Sequence, residues 1–288
     1  MMKSMAIDSF QLDSLREGFV GEAFVAQEMC PFCGSGSRII DAALNINAEK
    51  PSSFALRVCS RCGHAWIDPL PTQNFLDHLY QIGSNSVIGY GWSSERKTQL
   101  TIPEQVVCKA VAALRPGRYF ELGVGKGLLY SHCFSNGWRC SGVEPGDWGS
   151  GIPGVVRSLD EVPVGSTFDV LVALDVLEHV RDPIGVLRVL RGMSAPSSWL
   201  FTAFPNRRSF RFMMQKGRWR MVRPLGHIHY FSKQSARLML EKAGFSPVNI
   251  QITDLLEFKD LRQPFNAIFY LAQFAGWGDQ LIVAASPV

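Results

Sequence analysis

Residues 121–127 read Glu-Leu-Gly-Val-Gly-Lys-Gly, with the apolar pair Tyr119-Phe120 before them and Leu128-Leu129-Tyr130 after. Such a run closes a strand and opens a helix, and glycine at every second position clears the turn of side chains. A ligand can then lie almost against the backbone, with the amides of the helix start directed at it. The dinucleotide fingerprint spaces its glycines as G-x-G-x-x-G, whereas position 128 here is Leu. A plain strand-to-helix turn has the same glycines, so the downstream residues decide between the readings.

Arg139 to Val143 reads as a second strand ending at Glu144. That places an acid about 20 residues past the glycines, where nucleotide-binding α/β units hold a ribose diol. Phe168 to Leu174 reads as a buried strand running into Asp175-Val176-Leu177-Glu178-His179-Val180, with Asp182-Pro183 opening a helix. Phe204-Pro205-Asn206 follows a fifth strand, and His227-Ile228-His229-Tyr230-Phe231-Ser232 leads into Leu238 to Phe245.

Taken in order over residues 117–253, these segments resemble the class I S-adenosylmethionine-dependent methyltransferases, whose motif I is a G-x-G-x-G turn with an acid just before it. The resemblance implies an α/β fold, a doubly wound Rossmann-like sheet of seven strands, and S-adenosyl-L-methionine as cofactor. It implies that the backbone at Gly123, Gly125 and Gly127 approaches the methionine part, with Glu121 near its cationic end and Asp175 lining that side. Glu144 would take the ribose hydroxyls, and Ser158 and Leu159 would flank the adenine.

An acceptor hydroxyl or carbon acid must lose a proton, and histidine titrates closest to neutrality. His179, after the fourth strand, and His227 are the candidates for catalysis. Nucleotide-sugar C-methyltransferases, which the chain resembles here and in its cysteines, carry a base in a Glu-His-x-x-Tyr-Phe-Ser pattern. His227 occupies the base position, and Gly226 stands where that pattern has Glu.

Four of seven cysteines form two knuckles, Cys30-Pro31-Phe32-Cys33-Gly34 and Cys59-Ser60-Arg61-Cys62-Gly63. Each brings two thiolates onto one tight turn, and the two together make a tetrahedral sulfur cage suited to structural Zn2+. A metal-free knuckle, or His64 replacing one cysteine, has the same spacing. Strand-like Arg38 to Ile40 and Phe54 to Val58 flank a polar Asn45 to Ser53 hairpin, which gives a small N-terminal zinc ribbon. Cys108, Cys133 and Cys140 read as small core residues.

The expected organisation is a ribbon module over residues 1–80 and a connector with a cofactor-covering helix over 81–116. The Rossmann-like methyltransferase domain then fills 117–288. Gly83 to Ser94, with Tyr90 and Trp92, is the junction, and Glu104 to Leu114 is the covering helix. At 47% hydrophobic and 19% charged, the chain has ample apolar mass for globular cores. Residues 1–29 carry Asp8, Asp13, Glu17 and Glu22 and lack the apolar centre of a signal peptide, so a cytoplasmic protein is expected.

A net charge of +4 does not by itself imply nucleic acid, but the basic insertion at 206–231 is uneven. Arg207, Arg208, Arg211, Lys216, Arg218, Arg220 and Arg223 occur there with no acid between Asn206 and Pro224. Following the fifth strand, the insertion is expected to overhang the acceptor site. It reads as a clamp for an anionic substrate, a peripheral membrane patch, an RNA contact or a solvated helix face. Phe265 to Trp277 is too short to span a bilayer; it reads as core packing ahead of a wall that widens an apolar pocket or a contact with a membrane surface. The function expected is methyl transfer to a small-molecule acceptor, with an RNA methyltransferase docking through ribbon and insertion as the alternative. Against RNA, Arg38, Lys50, Arg57 and Arg61 are scattered over the ribbon rather than striped.

Overall fold

The computed structural model describes residues 22–42, 44, 54–81, 99–253 and 271–288. The ribbon region supplies β1 (Phe24–Val25), β2 (Ser37–Asp41), β3 (Ala55–Cys59), β4 (Ala65–Asp68) and β5 (Leu70–Pro71), followed by α1 (Gln73–Gln81). Strands β2, β3 and β4 pair antiparallel, with Leu56 opposite Ile67 and Arg57 opposite Trp66. Leu56, Trp66 and Ile67 are wholly buried, and Arg57 holds Asp68 through an Nε to carboxylate contact of 2.6 Å. The Asn45 to Ser53 hairpin and the Gly83 to Ser94 connector, Tyr90 included, lie outside the described residues.

Helix α2 (Ile102–Ala112) begins two residues before the expected covering helix, because Thr101 caps it. The Thr101 hydroxyl accepts from the Glu104 amide, and the Glu104 carboxylate accepts in return from the Thr101 amide at 2.5 Å. The rest of the chain alternates strand and helix: β6 (Arg118–Leu122), α3 (Leu128–Ser135), β7 (Arg139–Val143), β8 (Val155–Val156), β9 (Phe168–Leu174), α4 (Pro183–Gly192), β10 (Ser194–Pro205) and α5 (Phe210–Gln215). Then come β11 (His229–Tyr230), α6 (Lys233–Lys242), β12 (Phe245–Thr253) and β13 (Gln280–Pro287).

Seven strands form one sheet in the order β12-β13-β10-β9-β6-β7-β8. From β10 to β8 the pairing is parallel, while β13 runs antiparallel to both β10 and β12. This is the expected doubly wound Rossmann-like sheet. The strand order reverses between β6 and β9, and the crevice at such a switch point binds ligands. Adjacent residues of β6 face opposite sides of the sheet. Tyr119 packs with Val107 and Val111 of α2, whereas Phe120 joins a core that continues into the ribbon.

That continuity has a backbone counterpart. Strand β11 pairs with β4, His229 opposite Trp66 and Tyr230 opposite Ala65, so the ribbon's sheet has the order β11-β4-β3-β2. Lys242 Nζ donates to the Phe32 carbonyl at 2.6 Å, and the Ser232 hydroxyl donates to that of Cys62 at 3.4 Å.

One expectation fails near the C-terminus. Residues 265–270 lie outside the described set, but Leu271 and Phe274 are 64% and 75% exposed rather than packed in the core, and only Ala272 of that turn is buried. Among the described residues no helix is long and apolar enough to cross a membrane.

Candidate functional site

A cavity of about 970 Å³ opens at the carboxyl ends of β6, β7 and β9. Its floor is the glycine turn, and all three glycines have positive φ: 78° at Gly123, 54° at Gly125 and 74° at Gly127. A Cβ at Gly123 would lie 2.5 Å from Val176 Cγ2, and one at Gly127 would lie 2.8 Å from Ile152 Cδ1. A Cβ at Gly125 would meet only open space. Packing therefore opposes a side chain at Gly123, a side chain at Gly127 would have to displace the tip of Ile152, and the middle position faces the ligand space.

Two acids border this floor. Glu121, at 5% exposure, accepts from the Tyr119 hydroxyl at 2.8 Å. Burial pushes its carboxyl up to about 8 in spite of that hydrogen bond. Glu144 directly follows β7, with Oε2 accepting from the Gly125 amide at 2.7 Å and Oε1 from the Gly146 amide at 2.9 Å. Burial raises its carboxyl, and the two amides oppose that shift.

Asp175, Ser158 and Leu159 also line the cavity. Asp175 sits at φ 53°, and its carboxylate accepts from Gln280 Nε2 at 2.8 Å. Trp148 and Tyr80 line it too, although neither stands out in the sequence except as an aromatic beside a motif. A cleft with a side-chain-free floor, buried acids and a flat aromatic can hold a nucleoside with a cationic tail.

His179 lines the cavity, and His227 lies behind it with the rings edge to face, centroids 4.7 Å apart. The loop carrying His227 is drawn to the end of β9 because the amides of Ile228 and His229 both donate to the Glu178 carbonyl. Tyr230 Oη fastens it further, donating to the His227 carbonyl at 2.6 Å. Burial lowers the His179 imidazole to about 4 and holds His227 well below its ordinary value, so both rings are neutral at pH 7. Glu178, between Leu177 and His179, is fully buried, and burial together with Asp175 raises its carboxyl well above the usual range. Read from sequence alone it is an ordinary strand-end acid.

The four knuckle cysteines come together as expected. Sγ separations of 3.5, 3.6 and 3.7 Å join Cys33 to Cys59, Cys30 to Cys62 and Cys33 to Cys62. Zinc–sulfur bonds of about 2.3 Å give tetrahedral edges of about 3.8 Å, so the cage has the right size for the ion. The amides of Arg61 and Cys62 point at Cys59 Sγ, at 3.3 and 3.4 Å. The Cys30 thiol donates to Cys62 and holds it down at about 5, while that hydrogen bond and burial push Cys30 up. His64 is not in the cage; it stacks on Phe32 and contacts His229 Nδ1 at 3.1 Å.

The basic insertion does not overhang the cavity, since none of its seven cations is among the lining residues. Phe212, Trp219, Leu225 and Ile228 bury it against the ribbon side, and Arg207 donates to the Gly63 carbonyl at 2.5 Å. Arg211 pairs with buried Asp279. Arg207, Arg208 and Lys216 instead meet Arg38 around a separate hollow of about 420 Å³.

A family model described as a methyltransferase domain matches residues 98–250. No curated protein matches the chain. Among solved structures, the 1,6-didemethyltoxoflavin-N1-methyltransferase of Burkholderia thailandensis, with 1,6-didemethyltoxoflavin and S-adenosylhomocysteine bound, aligns with a TM-score of 0.54 at 15% identity, over 85% of this chain and 98% of its own. S-adenosylmethionine-dependent methyltransferases from Mesorhizobium loti (TM-score 0.47, 14% identity, 64% of this chain and 97% of that one) and Archaeoglobus fulgidus (0.47, 16%, 64% and 94%) also align. The alignment over most of both chains in the first case establishes a shared fold.

Proposed function

Because the chain belongs to the family of that methyltransferase domain, the class I S-adenosylmethionine-dependent methyltransferases, we propose that it methylates a small-molecule acceptor on oxygen or carbon. A sugar nucleotide, a glycan intermediate or a secondary metabolite is the class of acceptor we infer. The observation that carries this reading is a continuous cavity of about 970 Å³ that runs from the glycine turn and its acids to His179. It has room for the cofactor and a compact second molecule.

S-adenosylmethionine supplies a methyl group on a cationic sulfur, so positioning is most of what remains for the protein to do. Gly123, Gly125 and Gly127 admit the methionine part against the backbone, and Glu121 meets its positive charge. Asp175 lines the same side. Glu144 has lone pairs left beyond its two amide bonds and takes the ribose hydroxyls. Ser158 and Leu159 flank the adenine, with Trp148 offering a flat apolar face nearby. At the far end, the lone pairs of neutral His179 and His227 serve the acceptor's loss of a proton. The four thiolates of Cys30, Cys33, Cys59 and Cys62 hold a structural Zn2+ that fixes the ribbon.

The test is a labelled-methyl transfer assay against extracted small molecules and RNA in parallel. Label in the small-molecule fraction is the expected result. A second reading, RNA as acceptor, draws on the gathering of Arg38, Arg207, Arg208 and Lys216 around one hollow. Label confined to RNA, with binding that falls steeply as salt rises, would replace the first reading with the second.

A further inference from the structure

Glu178 is 0% exposed, and neither of its carboxylate oxygens has a hydrogen-bond partner among the described residues. A buried carboxyl left unpaired is costly, which makes the neighbours of this one informative. One of its oxygens, one nitrogen of His179 and one of His227 lie within 4.8 Å of one another. Each ring is oriented from behind: His179 Nδ1 is 2.9 Å from the Gly226 carbonyl, and His227 Nδ1 is 2.8 Å from that of Met221. A carbonyl only accepts, so Nδ1 carries the proton in both rings and Nε2 keeps its lone pair. Histidines that ligate metals are held in this way, with the second nitrogen donating to a backbone carbonyl.

We propose that Glu178, His179 and His227 bind a first-row transition-metal dication of the zinc type at the acceptor end of the cavity. Two imidazoles and one carboxylate suit such an ion, whereas Mg2+ and Ca2+ take oxygen ligands. Bonds of about 2.0–2.2 Å put tetrahedral donors about 3.4 Å apart, a separation that small side-chain rotations reach from the observed one. Three protein ligands leave a coordination position open, which distinguishes this site from the closed cage of four thiolates. His179 is the ligand that lines the cavity, so the open position lies on that side.

The use of the ion rests on the methyl-transfer reading; its binding does not. With the ion bound, both Nε2 lone pairs are held by the metal, and an acceptor hydroxyl in the open position becomes acidic and releases its proton to water in place of direct transfer to a histidine. Its oxygen then bonds to the methyl carbon as the carbon–sulfur bond breaks, and the electron pair of that bond stays on sulfur. The products are the methyl ether, S-adenosylhomocysteine and one proton in solvent.

The experiment titrates Co2+ into the full chain after the thiolate cage has been loaded with Zn2+, and follows visible absorption together with calorimetry. A second equivalent of metal is expected, with weak visible bands and without the intense sulfur-to-cobalt bands of a thiolate site. Glu178→Gln and His227→Gln should weaken it by on the order of 100-fold or more. His179→Gln, at the cavity edge, serves where the other two fail to fold. A folded wild-type chain that takes no second equivalent overturns the site, as does a Glu178→Gln chain that takes it at full strength. S-adenosylhomocysteine binding is measured separately in the chain with its thiolate cage loaded with Zn2+ and no second metal added, so loss of the ion site and loss of the cofactor reading give different results.

Discussion

Glu144 Oε2 accepts a hydrogen bond from the amide of Gly125 at 2.7 Å, across 19 positions of sequence. The end of β7 and the glycine turn are thus one unit, held by the carboxylate proposed to take the ribose. Hydrogen bonds to a charged group contribute about 1.5–3 kcal/mol each, and about 1.4 kcal/mol is tenfold in affinity. Glu144→Ala is therefore expected to weaken S-adenosylhomocysteine binding by on the order of 100-fold, and Glu144→Gln by about tenfold. Calorimetry measures both, and unchanged affinity in the Ala variant removes the ribose assignment.

The cationic end of the cofactor is proposed to lie beside Glu121, and on that reading binding should be a proton-linked event. Its folded value of about 8 lies above the ordinary 4.5, so its contribution to stability is complete below about pH 4.5 and is lost as pH rises through 8. The melting temperature of the ligand-free protein should fall between pH 5 and 8 by an amount that Glu121→Gln abolishes. At pH 7 most of the carboxyl is protonated, and a cation placed beside it should expel about one proton. Calorimetry in two buffers of different ionisation enthalpy counts that proton, and Glu121→Gln should release none. A wild-type chain that binds without proton release refutes the placement of the charge.

The thiolate cage should hold about one zinc per chain. Its ribbon shares a core with the catalytic sheet, from Leu56 and Trp66 through Phe204 and Phe231 to Phe120. Chelation should for that reason lower the melting temperature of the whole molecule in one transition. Metal analysis and calorimetry of Cys33→Ser check this, since a variant that retains zinc and stability contradicts the cage.

Alanine scanning of the glycine turn should separate folding from binding. Gly125→Ala places a methyl in open cavity at φ 54°. The left-handed conformation costs about 1–2 kcal/mol, or about 2–6 °C in melting temperature, while cofactor affinity should fall much further. Gly123→Ala adds an approach of 2.5 Å to Val176 and should destabilise the protein more. Equal thermal losses in the two variants would show that the cavity side of the turn is no different from the packed side.

The parts of this molecule legible in its sequence are those written locally. The glycine turn, the strand that ends at Glu144, the strand before Asp175 and the paired knuckles each lie within a few consecutive residues, and periodicity or spacing exposes them. Contacts between distant segments leave no such mark. Strand β11 has only two residues, and its pairing with Ala65 and Trp66 spans some 160 positions. Glu178 looks like any acid after a strand until the loop bearing His227 folds over it. The basic insertion follows the fifth strand, a position that by itself points to a roof over the acceptor, but the apolar side chains of Phe212, Trp219 and Ile228 join the core shared with the ribbon. Leu271 and Phe274 look like core from their type alone, and remain in solvent.

The pairing of His229 and Tyr230 with β4 means that neither half of the molecule owns its own border. A fragment starting at residue 99 would be left with a bare strand and the uncovered rings of Tyr230 and Phe231, an invitation to self-association. Grafting the catalytic half onto another scaffold, or exchanging the ribbon between homologous proteins, would require carrying that two-residue seam along with whichever piece is moved.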